Sequence, residues 1–215
     1  MREIQSGGYR KGSRGKNKRG CGGCLGKAVI LILLFSLVGF LGYRALQGLG
    51  IQTRMMQAKY PIKYQEYVEK YAGEFKLEPA LVYAVIRTES KFDPYAVSPA
   101  QAKGLMQLQD ETAQDCAKAL KLKNFKTDDL FEPETNIRLG SYYLRKLIDR
   151  YDGNLETAAA AYNGGPGNVE KWLRDKSLIN EKGELVHVPF PETRNYVERV
   201  MEAYEVYQDL YTKMK

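Results

Sequence analysis

The chain has 215 residues and a formal net charge of +7, with 44% hydrophobic and 27% charged residues. This length allows one domain of ordinary size with appendages, and the composition is that of a globular protein. Residues 1–27 hold eight Lys or Arg side chains and one acid, so they carry the whole net charge and the rest of the chain is balanced. A balanced domain has no excess charge with which to grip a phosphate backbone, which argues against nucleic-acid binding.

The basic segment 1–27, predicted to be a disordered tail, is followed by the uncharged apolar stretch AVILILLFSLVGFLGY. A membrane-spanning helix needs about 20 apolar residues, with roughly 17 as a lower limit. The sixteen uncharged residues 28–43 become nineteen with residues 25–27, which is short but sufficient if Lys27 extends to the membrane surface. A transmembrane anchor is therefore predicted over 28–45. The excess of Lys and Arg before the stretch predicts a cytoplasmic N-terminus and places the following domain outside the cytoplasm. A cleaved signal peptide is the alternative, although the tail is long for one and no A-x-A site follows the stretch.

The cysteines and the histidine give little support for a metal or redox centre. Cys21 and Cys24 form a CGGC motif, but no second pair accompanies them. They are therefore interpreted as unpaired thiols of the tail or an acylation site. His187 is the only histidine, and no His/Cys/Asp cluster has metal-ligand spacing. No metal and no cofactor is expected.

Residues 46–61 are predicted to form a stalk that ends at Pro61, and residues 62–215 the outer domain. Nearly every segment of this domain has apolar residues at helical spacing. One helix is predicted to begin with Asp110 as its N-cap. At most a short extended piece is expected at 183–190. Further helices are predicted in KYQEYVEKYAGEF, PETNIRLGSYYLRKLIDRY, NLETAAAAYN, VEKWLR and PETRNYVERVMEAYEVYQDLY. The predicted fold class is all-α.

A glutamate lies on the apolar stripe of the helix predicted at 79–90. Pro79 suits its first turn, and at about 100° per residue Glu89 projects between Val82 and Ile86. Burial disfavours the charged form of a carboxyl group, so the pKa of Glu89 should rise. A carboxyl that is protonated near neutral pH is what a general acid requires. The alternative is that Glu89 turns out to solvent at the helix end or caps a loop.

Three other segments are rich in Gly, Asn, Ser, Gln and Tyr, whose neutral donors and acceptors suit sugar recognition. The first is AVSPAQAKGLMQ at 96–107, and the second is AYNGGPG at 161–167. The third is PETRNYV at 191–197, in which Glu192 and Tyr196 share one helical face.

The motifs ES, SPAQAKGLMQ, NIRLGSYYL, AYNGGPGNV and ETRNYVERV occur in this order over about residues 62–205, and together they resemble the soluble-lytic-transglycosylase family. The resemblance implies a goose-lysozyme-like helical domain, here behind a single N-terminal transmembrane helix. It also implies cleavage of the β-1,4 bond between N-acetylmuramic acid and N-acetylglucosamine in peptidoglycan glycan strands, leaving 1,6-anhydro ends. The protein would then be a single-pass enzyme of the bacterial cytoplasmic membrane with an extracytoplasmic catalytic domain.

By the same resemblance, Glu89 is the single catalytic acid and base, because the substrate's own acetamide assists at the anomeric carbon. Asp93 is the candidate for a second carboxylate, but its simpler role is to end the helix before Pro94. Tyr196 is the candidate to orient Glu89. The implied substrate-binding residues are Ser98, Met106, Gln107, Tyr162, Asn163, Glu192 and Tyr196.

Two other functions remain open from the sequence. One is a muramidase, which hydrolyses the same bond with water and usually employs two carboxylates. The other is a non-catalytic wall-binding protein that keeps the fold.

Overall fold

The computed structural model of the chain describes the backbone of residues 22–214 and the side chains of residues 27, 29–45, 47–48, 55–56 and 58–210. Most of the predicted tail, with Cys21, therefore lies outside the described residues. The side chains of Cys24 and Ala28, where the predicted span begins, lie outside them as well. The chain divides between Arg54 and Met55 into two compact units.

The described residues form helices joined by short loops. In the segment predicted to be extended, Leu185 makes only an isolated bridge with Ile179. Over residues 22–214 the predicted all-α class is therefore confirmed. In chain order the helices are α1 (Gly22–Lys59), α2 (Gln65–Glu74), α3 (Pro79–Ser90), α4 (Asp110–Ala119), a 3-10 helix (Thr127–Phe131), α5 (Pro133–Arg150), α6 (Leu155–Gly164), α7 (Pro166–Trp172) and α8 (Pro191–Met214).

Helix α1 covers the predicted span, 28–45, and most of the predicted stalk, 46–61. No end of secondary structure separates the two ranges, because the helix continues to Lys59. Its large apolar side chains from Val29 to Tyr43 are exposed. Among the residues that the structure describes, no helix combines the length and the apolar character needed to cross a membrane.

Helix α3 forms the centre of the second unit. All residues from Ala80 to Ile86 are buried, so the helix is enclosed on every side rather than along a single stripe. It packs most extensively against α8 and also contacts α2. Glu89 follows at the end of this enclosed helix, where burial changes from complete to partial. The predicted single stripe is too narrow, but the predicted position of Glu89 beside the core is confirmed.

A smaller hydrophobic cluster lies beside the main core and is built by α4, α5, the 3-10 helix and the loop before α4. Tyr143 and Tyr162 pack against both clusters. The two rings therefore mark the boundary between the clusters, where a cleft can form. The buried members of the smaller cluster are Leu108, Ala113, Cys116, Ala117, Leu130 and Leu139.

Local signals set several helix starts. Pro79 lies at the start of α3, as predicted. The Asn154 side chain accepts a hydrogen bond from the Thr157 N–H at 2.8 Å and caps α6. The predicted N-cap of α4 is wrong, because Asp110 is already helical and its carboxylate instead accepts hydrogen bonds from the Lys103 ammonium at 2.8 and 2.9 Å.

The loop 96–108, between α3 and α4, is held by a buried side chain of α5. Asn136 is fully buried. Its Nδ2 donates to the carbonyls of Lys103 at 3.0 Å and Leu130 at 2.8 Å, and its Oδ1 accepts from the Met106 N–H at 2.8 Å. One amide thus binds three backbone groups, of which the Lys103 carbonyl also accepts a hydrogen bond from the Leu108 N–H at 3.1 Å.

Gly104 allows this loop to approach α5. Its φ is +76°, and a Cβ atom there would lie 2.2 Å from the Leu130 carbonyl oxygen and 2.3 Å from Asn136 Nδ2. A side chain at this position is excluded both by the backbone conformation and by space.

Gly104→Ala should therefore lower the free energy of unfolding by about 2–5 kcal/mol, because the left-handed backbone cost and the clash add. Gly153 has a similar φ of +85° but open space around its Cα, so Gly153→Ala should cost only about 1–2 kcal/mol. Urea unfolding followed by circular dichroism measures both values, and equal costs would contradict the close approach.

Candidate active site

The Glu89 carboxyl, near the end of α3, lies close to Tyr162 of α6 and to Tyr196 of α8. Burial raises its pKa from 4.5 to about 7, while the Tyr196 hydroxyl and the Arg199 charge, both on α8, lower it in part. The predicted rise is confirmed, and its main cause is the predicted loss of hydration. Near neutral pH this carboxyl is present in both its protonated and its charged form.

Tyr196 faces Glu89 from inside the core. Its side chain is 2% exposed, and burial, followed by the nearby Glu89, raises its pKa well above 10. The hydroxyl is close enough to lower the pKa of Glu89, yet it makes no hydrogen bond of normal geometry with any described residue. Catalytic hydrogen bonds are often long in the absence of substrate and tighten when it binds. The position of Tyr196 fits the predicted role of orienting Glu89.

Tyr162 joins α6 to the loop 96–108 beside Glu89. Its hydroxyl donates to the Met106 carbonyl at 2.8 Å, and its ring centroid lies 5.3 Å from that of Tyr143. Burial raises the pKa of Tyr162, and the nearby Glu89 adds to the rise. A neutral phenol therefore lies near the Glu89 carboxyl.

Met106 does not contribute its side chain to the surface of a cleft. The side chain is fully buried and packs where Gly140 leaves room, since a Cβ at Gly140 would lie 2.4 Å from its sulfur. The prediction of a substrate contact for this side chain is therefore corrected. Met106 supports the site through its backbone, whose N–H and carbonyl bind Asn136 and Tyr162.

Ser98 and Gln107 shape the loop 96–108. The Ser98 hydroxyl oxygen accepts a hydrogen bond from the Ala102 N–H at 3.0 Å. The Gln107 Nε2 donates to the carbonyls of Ala96 and Gly104, both at 2.9 Å. Its Oε1 has no hydrogen-bond partner among the described residues and is available as an acceptor.

Asn163 and Glu192 are polar residues at two helix ends. Both are exposed, Asn163 near the end of α6 and Glu192 in the first turn of α8. These two helix ends touch closely, because a Cβ at Gly164 would lie 3.1 Å from the Thr193 hydroxyl oxygen. In the described structure neither Asn163 nor Glu192 forms a hydrogen bond or ion pair with Glu89, so their predicted contacts with substrate stay predictions.

Three supporting residues were not predicted as part of the site. Asn136 holds the loop, and the Arg199 charge lowers the pKa of Glu89. The Ser90 hydroxyl donates to the Leu105 carbonyl at 2.8 Å. Asn136 had a usable signal, because it occupies a core-facing position of α5 next to Ile137, as Glu89 does on α3. Arg199 is recognisable only once Tyr196, one turn earlier, is known to face Glu89.

Among the described residues no other carboxylate shifts the pKa of Glu89, which responds to burial, Tyr196 and Arg199. Asp93 is exposed, and its Oδ1 accepts from the Tyr95 N–H at 3.0 Å, which stabilises the turn after α3. His187 is exposed as well. Among the side chains that the structure describes, no group of three or more His, Cys, Asp or Glu could hold a metal ion. The arrangement is one carboxyl that can release and recover a proton, bordered by polar loop groups.

The chain is similar in sequence to proteins named lytic murein transglycosylases. Residues 66–182 match the family described as transglycosylase SLT domain. The soluble lytic murein transglycosylase of Salmonella typhimurium is 34% identical over 71% of this chain and 24% of its own length. The membrane-bound lytic murein transglycosylase C of Yersinia pestis is 35% identical over 68% of this chain and 47% of its own length. The chain thus spans about a quarter to about half of the length of these relatives.

The fold also matches a solved structure. The lytic transglycosylase Slt of Pseudomonas aeruginosa, determined as an inactive mutant, superposes with a TM-score of 0.67 at 33% sequence identity. The match covers 73% of this chain and 26% of the Pseudomonas chain.

Tyr196→Phe removes a hydroxyl that lowers the pKa of Glu89. The pKa of Glu89 should therefore rise above about 7, by up to about one pH unit. A carbon-detected NMR titration of glutamate-labelled protein measures it. Tyr204→Phe, on the same helix but interacting with Glu78, is the matched control and should leave Glu89 unchanged. An unchanged or lowered pKa of Glu89 in Tyr196→Phe would show that the Tyr196 hydroxyl does not interact with Glu89.

Proposed function

The chain belongs to the family of transglycosylase SLT domains, and from this membership we propose that it is a lytic transglycosylase of peptidoglycan. The observation that carries the proposal is Glu89, a single carboxyl whose pKa burial raises to about 7. A general acid works best when its pKa lies near the working pH. The Pseudomonas structure is that of an inactive mutant with a glutamate replaced by glutamine, which fits a reaction that depends on one carboxyl group.

The proposed reaction begins with protonated Glu89, which donates its proton to the glycosidic oxygen between N-acetylmuramic acid and N-acetylglucosamine. The bond from this oxygen to the muramoyl anomeric carbon breaks, and the substrate's acetamide oxygen stabilises that carbon. Glu89, now a carboxylate, accepts the proton of the muramoyl C6 hydroxyl. At the same time the C6 oxygen forms a bond to the anomeric carbon. The 1,6-anhydro ring closes, Glu89 regains its proton, and no water is consumed.

The polar groups around Glu89 suit the binding of such a substrate. Sugar hydroxyls and acetamides need neutral partners at fixed positions, and Gln107 offers a free Oε1 while Ser98 offers a hydroxyl on the same loop. Asn163 and Glu192 offer exposed polar groups at the ends of α6 and α8. We assign substrate binding to these four residues, with Tyr162 and Tyr196 placed against Glu89.

Hydrolysis by a muramidase is the second candidate, since it cleaves the same bond. It is less well supported, because a retaining hydrolase needs a second carboxyl about 5 Å from the first and Asp93 is engaged in an exposed turn.

Digestion of purified peptidoglycan should release fragments with 1,6-anhydro ends, each one water lighter in mass spectrometry than a fragment with a reducing end. Glu89→Gln should lower turnover by about 10²–10⁴-fold, the usual contribution of a general acid and base. Glu111→Gln, which removes an exposed carboxyl from α4, is the control and should keep full turnover.

Each alternative has its own signature in this experiment. Fragments with only reducing ends would establish the muramidase, and the absence of fragments from the wild type would favour a wall-binding protein. Unchanged turnover in Glu89→Gln would overturn the assigned mechanism.

We also propose that residues 28–45 anchor the protein in the bacterial cytoplasmic membrane, with the tail 1–27 in the cytoplasm and the domain 62–215 outside it. The exposed apolar side chains of α1, from Val29 to Tyr43, form a surface that water does not favour. The basic tail gives the orientation, and the Yersinia relative is named membrane-bound.

The full chain should stay in the membrane pellet after extraction with alkaline carbonate. The double variant Leu34→Lys with Val38→Lys should move to the soluble fraction, because each lysine at a helix centre costs about 2.5–3.5 kcal/mol in a bilayer. Glu111→Lys with Gln114→Lys adds lysines to exposed positions of α4 and should leave the pellet unchanged. A wild type that carbonate extracts would contradict the anchor.

A further inference from the structure

One ion pair connects the loop 96–108 to helix α4 and has no role in the proposed reaction. The Lys103 ammonium donates to both carboxylate oxygens of Asp110, at 2.8 and 2.9 Å, and Asp110 is the first residue of α4. The Lys103 side chain is 15% exposed, whereas that of Asp110 is 45% exposed. A cation enclosed to this extent has lost much of its hydration and needs a partner, which the Asp110 carboxylate supplies.

The backbone of Lys103 joins two parts of the loop. Lys103 forms isolated bridges with both Val97 and Leu108. Its N–H donates to the Leu108 carbonyl at 2.9 Å, and its carbonyl accepts from the Leu108 N–H at 3.1 Å. The same carbonyl accepts from Asn136 of α5 at 3.0 Å. Lys103 is thus attached to α5 through its backbone and to α4 through its charge, and it closes the turn 104–107.

Gln107 ends this turn in a backbone conformation that residues with a side chain rarely adopt. Its φ is +49°, in the left-handed region, which is unfavourable for any residue other than glycine. Its N–H donates to the Gly104 carbonyl at 3.2 Å, and its Nε2 donates to the carbonyls of Gly104 and Ala96. Such a conformation persists only where the surrounding contacts impose it. The direction of the Gln107 Oε1 therefore depends on the turn that Lys103 closes.

We propose that Lys103 and Asp110 are positioning residues, whose ion pair fixes the turn 104–107 and so orients the Gln107 Oε1 toward a sugar hydroxyl of the substrate. This inference rests on the proposed function, which assigns substrate binding to Gln107. A group that accepts a hydrogen bond from a ligand binds more tightly when it is held in place beforehand, because binding then does not have to order it. Neither member of the ion pair touches the substrate, and both act through Gln107.

The test compares KM and kcat on soluble glycan strands, with the full chain in detergent. Lys103→Met removes the ammonium and keeps most of the aliphatic side chain. It should raise KM by about 3- to 10-fold, which corresponds to the loss of one hydrogen bond to the substrate. It should change kcat by less than about twofold, because the lost interaction is one of binding. Asp110→Asn removes the negative charge at nearly constant shape and should also raise KM.

A double-mutant cycle distinguishes an effect through Gln107 from a general loss of structure. Gln107→Ala should itself raise KM by about 3- to 10-fold. Adding Lys103→Met to Gln107→Ala should raise KM by less than about a further twofold, because the group that Lys103 positions is already absent. Lys103→Arg keeps a cation that can bind both carboxylate oxygens and should hold KM within about twofold of the wild-type value.

A second lysine–aspartate pair of the same helix provides the matched control. Lys118 and Asp115 lie 3.8 Å apart on the exposed surface of α4, so Lys118→Met with Asp115→Asn should leave KM and kcat unchanged. Thermal unfolding followed by circular dichroism shows that each variant is folded before its kinetics are compared. Should Lys103→Met fail to fold, Asp110→Asn carries the same cycle, since it leaves the backbone bonds of Lys103 in place.

The contrary results are specific. An unchanged KM in Lys103→Met, a fall in kcat instead, or an effect that multiplies with that of Gln107→Ala would each overturn the positioning role. A KM in Lys103→Arg as high as in Lys103→Met would overturn it as well, because the charge would then have no part in holding the turn. A wild type that neither binds nor cleaves glycan strands refutes the proposed function and this inference with it, whereas a wild type that cleaves them confines any contrary result to the ion pair.

Discussion

The burial of one carboxyl group, that of Glu89, makes the stability of the domain depend on pH. Folding moves the pKa of Glu89 from 4.5 to about 7, so the folded state holds this proton more tightly than the unfolded state. The resulting stability is fully present below pH 4.5 and is lost as the pH rises through about 7. At about 1.4 kcal/mol per pH unit, this interval corresponds to about 3 kcal/mol. Above neutral pH the rest of the core must therefore offset the cost of burying the charged form of Glu89.

Three separate hydrogen bonds fix the loop 96–108, and they converge on two neighbouring residues, Leu105 and Met106. Ser90 holds the Leu105 carbonyl, while Asn136 and Tyr162 hold the N–H and the carbonyl of Met106. The three side chains come from α3, α5 and α6. The loop is thus tied to three helices through its backbone, and we propose that Gln107 and Ser98 carry the polar groups of the site. This explains why Met106 matters although its side chain never reaches the surface.

The sequence was sufficient for features that depend on neighbouring residues. Pro79 marks the start of α3, and the spacing of Val82, Ile86 and Glu89 places the carboxyl beside the core. It was insufficient where the partner is distant along the chain. Asp110 looks like an N-cap locally, but the ammonium of Lys103 takes its carboxylate, and Arg199 acquires its role only because α8 packs along α3. Helical periodicity gives the face on which a residue lies, whereas it does not say which element covers that face.

The segment predicted to be a stalk also has partners that are distant along the chain, and these partners could not be predicted from its sequence. Residues 55–59 belong to the second compact unit, and the residues that follow pack into it. Tyr60 packs edge-on against Tyr207, and the Tyr207 hydroxyl donates to the Pro61 carbonyl at 3.1 Å. These contacts join the beginning of the unit to its last helix. They also bring Lys59 beside Arg87, whose Nε donates to the Lys59 carbonyl at 2.9 Å. A domain cut at residue 62, as the predicted boundary suggests, would keep Glu89 and lose these contacts.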